Sequence, residues 1–233
     1  MLLFVMGGSV SAAPQVKSPA VVAAAASAVI VLNDTGITQC TNGSAIVACD
    51  TASTGDASAH PRQDGRFGRD PAAPAKVGGG AAGFDFTKVC MDGTLDCASA
   101  ADTTESPASA GAWACTKDNV TNLVWSLHSG AGDWTNYAGS TLPTAYNAQG
   151  RCGYNTGWRL PTVPELFSIV NYSRRAPSID VTYFPGTQAT FYWTSQTFKL
   201  DAAAAWWVGF AEGDSSLFSM ATTNAVRLVR SAQ

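Results

Sequence analysis

The residues with the most chemical potential in this 233-residue sequence are six cysteines, Cys40, Cys49, Cys90, Cys97, Cys115 and Cys152. An even set reads as three disulfides if the chain is exported, as its N-terminus below suggests. Zinc is the competing reading, but structural zinc sites gather Cys-x-x-Cys pairs with matching His. Here the closest spacings are Cys40 to Cys49 and Cys90 to Cys97, and His60 and His128 lie far from both, so no metal is expected. Sequence leaves the pairing open. Cys40/Cys49 and Cys90/Cys97 each bracket a turn-rich stretch, which leaves Cys115 for Cys152. A nucleophilic thiol needs an unpaired cysteine or an adjacent His, and neither is evident.

A second set of residues suits holding a polar ligand. In Ala205-Trp206-Trp207-Val208-Gly209-Phe210, strand alternation directs Trp206, Val208 and Phe210 inward and Trp207 outward. An exposed Trp offers a face on which a sugar ring can stack. Glu212, Asp214, Ser215 and Ser216 form a polar turn after this strand, and Asn224 precedes the last one. Such loops carry ligands in many folds, so Trp207, Glu212, Asp214, Ser215, Ser216 and Asn224 are the ligand-binding candidates. Asp214 with Glu212 or Asn224 offers oxygen to calcium, yet calcium loops concentrate more carboxylates than this, so no cofactor is indicated. Arg174-Arg175 reads as a solvated helix end, with an anion patch as the alternative. His60 and His128 have no Ser nucleophile motif or carboxylate nearby in sequence, and nothing selects an Asp133–Glu165 acid/base pair, so the chain is not expected to be an enzyme.

These residues need a scaffold, and composition locates it. Hydrophobic residues make up 46% of the chain, enough for a core, while charged residues are 13% with a net charge of −3. That balance gives neither a nucleic-acid footprint nor a polybasic membrane tether. Residues 1–12 have an apolar run followed by small residues suited to cleavage after Ala12, which reads as a signal peptide without its basic start; a buried strand is the alternative. Ala20 to Leu32 is too short to span a bilayer. Export through the secretory pathway to the cell surface, the medium or the periplasm is the expectation, with no membrane span.

All seven Trp and all six Tyr lie between Trp113 and Phe218. The core is therefore expected in a domain over 113–233. Residues 13–112, rich in Gly, Ala, Asp and Pro, are expected to form a loop-rich, disulfide-stapled arm, with Val29–Leu32 and Gly83–Phe86 laid on the domain as edge strands. Within the domain, Thr121–Leu127 reads as a strand and Leu142–Arg151 as a short helix. Thr162-Val163-Pro164-Glu165 is a capping box before an apolar stripe of Leu166, Ile169 and Val170. Four short aromatic strands follow, starting at Phe191, Ala205, Leu217 and Val226. Helices followed by an antiparallel meander define an α+β class.

The motifs Trp113–Trp125, Gly157-Trp158-Arg159-Leu160-Pro161-Thr162 with Glu165-Leu166, Ile179-Asp180 with Tyr183-Phe184-Pro185, Tyr192-Trp193-Thr194-Ser195, Ala205-Trp206-Trp207-Val208 and Val226–Arg230 stand in an order that resembles the Lcl C-terminal domain family. The resemblance implies a C-type-lectin-like fold related to formylglycine-generating enzymes. It also implies a lectin-like adhesion function, as in the collagen-like adhesin that gives the family its name and binds sulfated glycosaminoglycans. This chain departs from that adhesin: no collagen-like tract precedes the domain, and residues 113–233 carry eight basic against seven acidic residues. The expected partner is a glycan or surface protein. The alternative is a structural subunit of an extracellular filament or envelope assembly that self-associates through the arm.

Overall fold

The computed structural model describes residues 33–49, 62–106 and 109–232. The signal peptide expected over 1–12 and the strand expected at Val29–Leu32 lie outside the described residues. The fold is α+β, with short helices set among sheets that are antiparallel apart from the parallel pairing of the tenth strand with the seventh.

A small hairpin, β1 (Gln39–Thr41) and β2 (Ile46–Ala48), precedes the main body. A one-turn helix α1 (Arg69–Ala72) follows. Strands β3 (Phe86–Cys90), β4 (Trp113–Asp118) and β5 (Leu123–Ser126) form an antiparallel meander. After β6 (Gly130–Gly132), an eight-residue π-helical segment, Trp134–Thr141, leads into α2 (Leu142–Gln149). Gly150 ends α2 in the left-handed conformation, at φ 61° and ψ 35°, a geometry in which glycine avoids the Cβ penalty.

Helix α3 (Val163–Phe167) starts on the expected capping box. The Thr162 hydroxyl accepts from the Glu165 amide, and Glu165 Oε2 accepts from the Thr162 amide at 2.7 Å. The helix stops at Phe167, and the apolar stripe continues through the following turn, where Ile169 and Val170 are buried. Strands β7 (Phe191–Phe198), β8 (Asp201–Gly209), β9 (Asp214–Ser219), β10 (Asn224–Val226) and β11 (Val229–Ser231) complete the chain.

The strands assemble into a four-stranded sheet, β11-β5-β4-β3, and a five-stranded sheet, β6-β10-β7-β8-β9. The last strand expected from sequence, Val226–Arg230, divides between them: β10 joins the five-stranded sheet beside β7, and β11 joins the four-stranded sheet beside β5. Arg227 and Leu228 make the crossing and are fully buried.

Between the sheets lie Phe86, Leu123, Trp125 and Val229 from one and Tyr192, Val208, Phe210 and Ala225 from the other. A second core packs Leu142 and Tyr146 of α2, with Trp158 and Leu160, against Trp193, Ala205, Trp207 and Val226. Burying side chains of this size contributes about 2–3 kcal/mol each. The stretch Gly83–Phe86 is laid on the domain, with Phe84 and Phe86 in the core and β3 at the sheet edge. The cysteines pair as Cys40–Cys49, Cys90–Cys97 and Cys115–Cys152.

Candidate functional site

The register of the five-stranded sheet decides which candidate residues meet. Directly opposed residues share a face. Trp193 opposes Trp207, which opposes Ser216; Phe191 opposes Gly209, which opposes Asp214; Ala205 opposes Phe218. One face of the sheet therefore carries Phe191, Trp207, Asp214, Ser216 and Phe218. Ser215 opposes Val208 and belongs to the other face.

Trp207 is not the exposed residue that alternation predicts. It is 5% exposed, whereas Trp206 is half-buried, with its ring 6.3 Å from Phe198. The cause is that β8 lies inside the sheet and both of its faces are covered, one core taking Trp207 and the other Val208 and Phe210. Alternation separates inside from outside only where one face is solvated.

What solvent reaches on this face is the layer above Trp207. Phe191 lies at 4.2 Å and Phe218 at 5.3 Å between ring centroids, with Phe218 stacked at 27°, and both are half-buried. The Asp214 carboxylate lies over Gly209: a Cβ built there would sit 2.5 Å from Asp214 Oδ1, 3.2 Å from Trp207 Cζ3 and 3.4 Å from Phe191 Cδ1. The missing side chain of Gly209 thus lets an exposed carboxylate rest beside two aromatic rings, with Ser216 exposed on the next row. Aromatic faces receive the C–H side of a sugar ring while a carboxylate accepts from its hydroxyls.

The remaining candidates disperse. Glu212 pairs with Arg175 at the surface. Asn224 opens β10, which is separated from β9 by β7 and β8. Three strand spacings place Asn224 roughly 14 Å from Asp214, too far for one cation. Among the described residues no group of three or more His, Cys, Asp or Glu is placed to hold a metal ion.

A second polar cluster packs around α2, on the Trp207 side of the sheet, and no local sequence signal marks it. Arg151 is fully buried, stacks 4.0 Å from the Tyr146 ring centroid and donates to the Thr104 and Glu105 carbonyls. The Tyr137 hydroxyl donates to Glu105 Oε2 at 2.8 Å, and His128 Nδ1 meets the Tyr146 hydroxyl at 2.6 Å. Burial, reinforced by the Arg151 cation, pulls His128 down to about 4, and burial pushes Tyr146 up to about 12. The cluster pins the segment around Glu105 to the domain. Arg227 is buried beside Phe184 and Tyr192, and its Nη2 donates to Thr187 Oγ1 at 2.8 Å.

These features define a disulfide-stapled α+β domain with a half-exposed aromatic surface and no unpaired cysteine among the described residues. The Lcl C-terminal domain family matches residues 114–230, half of the chain, and the protein belongs to that family. No curated protein matches the chain. The family and the disulfides together indicate an exported, adhesin-like surface protein. No helix among the described residues is long and apolar enough to cross a membrane.

Proposed function

We propose that this protein is a surface adhesin whose domain binds a glycan on the Phe191–Trp207–Phe218 surface, and that it is a binding module without catalytic activity. The observation that carries the reading is the Asp214 carboxylate lying beside the Trp207 and Phe191 rings over Gly209. Rings supply the apolar contact and Asp214 the directional one, so the site discriminates by hydroxyl geometry. The C-type-lectin-like architecture implied by the resemblance belongs to the same proposal. All six cysteines being paired supports binding over a formylglycine-generating chemistry, which needs reactive thiols. The test is a glycan array with the full chain: several glycans should bind, and Phe218→Ala and Asp214→Asn should each lose the signal. An array without binding would remove the proposal.

A second reading, a subunit of an extracellular assembly, draws on β9. This strand has no outer neighbour among the described strands, pairs with β8 over six residues without a bulge, and carries no Pro or Lys. Proteins ordinarily block such an edge. Sedimentation of the full chain separates the readings, since assembly requires concentration-dependent oligomers and the adhesin reading does not.

A further inference from the structure

Beside the aromatic surface lies a cleft of about 320 Å³ at the end of β10. Its lining includes Ser129, Gln188, Thr190, Thr223 and Asn224, and no Lys, Arg, Asp or Glu. Thr190 immediately precedes Phe191, so the cleft adjoins the start of β7, where Phe191 stands. Strand β10 neighbours β7 through the Ala225–Tyr192 pair, one row from Phe191. Asn224 is 7% exposed, and its Nδ2 is buried without a hydrogen-bond partner among the described residues. Buried amides are almost always paired in folded proteins, so an orphaned one in a polar cleft marks a place where a partner from outside completes the set.

We infer that this cleft is a second subsite for the same ligand, and that the ligand is a neutral oligosaccharide of at least two units. The inference rests on the aromatic surface being the first subsite. From Asp214 to Asn224 the sheet face runs roughly 14 Å, more than one sugar ring covers. Phe191 lies between the two ends, within reach of both. The hydroxyl and amide groups of the cleft satisfy sugar hydroxyls in either donor or acceptor sense, whereas a sulfate or uronate would find no cation there and would face the Asp214 carboxylate on the adjoining surface.

The experiment is calorimetric titration of the full chain with neutral hexose and N-acetylhexosamine oligosaccharides of increasing length, with a sulfated chain alongside. Affinity should rise about tenfold from the single sugar to the longer chains, the yield of a net hydrogen bond or two. The double variant Gln188→Ala, Thr190→Val should remove that rise while leaving the single-sugar affinity unchanged, and Asn224→Ala should do the same where it folds. Affinity for the neutral chains should be insensitive to salt. Affinity independent of chain length, a rise that survives the cleft variants, or preference for the sulfated chain overturns the second subsite while single-sugar binding leaves the first in place. No binding of any sugar overturns both.

Discussion

Asp214 and Gly209 face each other across β8 and β9, and the carboxylate of one occupies the space that a side chain on the other would fill. Gly209→Ala therefore acts chiefly on the proposed site, displacing the Asp214 carboxylate and pressing on Trp207 Cζ3 by a few tenths of an ångström. The displaced atom is the free end of a side chain, and alanine in a strand lowers the entropy of the unfolded chain. The melting temperature should stay within a few degrees of wild type while glycan affinity falls about tenfold or more, read by thermal scans and titration on the same preparation.

The Cys115–Cys152 bridge closes a separation of 37 residues and ties β4 to the turn after α2, whereas Cys90–Cys97 closes one of 7. Loop-closure entropy makes the longer bridge worth about 4 kcal/mol and the shorter about 2.5. Replacing both cysteines of each pair by Ala should lower the midpoint of chemical unfolding in that order. Equal effects would mean that loop length does not control the stabilisation here.

His128 is held neutral by burial and by the Arg151 cation, at about 4 against an ordinary 6.5. Below pH 6.5 the unfolded chain takes up a proton that the folded chain refuses, so His128 removes stability as pH falls from 6.5 toward 4 and has no further effect below that. The loss is about 2 kcal/mol after allowance for partial solvent access. His128→Gln should flatten the pH dependence of unfolding across this window, in denaturant titrations at successive pH values.

Glu165 closes the capping box and also takes two hydrogen bonds from Arg159, at 2.8 and 2.6 Å. Burial opposes its ionisation, yet Arg159 and the Thr162 amide together hold its carboxyl below the usual range. Thr162→Ala should cost about 1 kcal/mol, the ordinary worth of an N-cap. Glu165→Ala should cost about 2 kcal/mol, since it strands Arg159 as well. Urea unfolding of the two variants checks the ranking.

Local signals were legible in the sequence, and signals that depend on assembly were not. The capping box is readable because its partners stand three residues apart. The disulfides are those that the short turn-rich loops favour, in a sequence that leaves the pairing open. The strands from Phe191 to Met220 announced themselves by aromatic content, and their register places Asp214 and Ser216 on the face carrying the two half-exposed Phe rings.

The face of Trp207 could not be read, because a strand covered on both sides has no solvent side for alternation to reveal. Phe191 and Phe218 were missed as site residues for the complementary reason. Only the pairing of β7 and β9 against β8 brings their rings over Trp207. Asn224 stands near Asp214 in sequence, but β10 inserts between β6 and β7 and sets it three strand positions away. The division of Val226–Arg230 between two sheets, with Arg227 buried at the crossing, likewise follows from topology.

Amide chemical-shift mapping of the full chain with a neutral oligosaccharide at saturation shows whether the ligand sits on the sheet face over Trp207. The largest shifts should fall at Phe191, Asp214, Ser216 and Phe218, extending to Thr190 and Asn224 as the sugar lengthens. Shifts confined to other surfaces, or none at a sugar concentration that saturates binding by calorimetry, would contradict that placement.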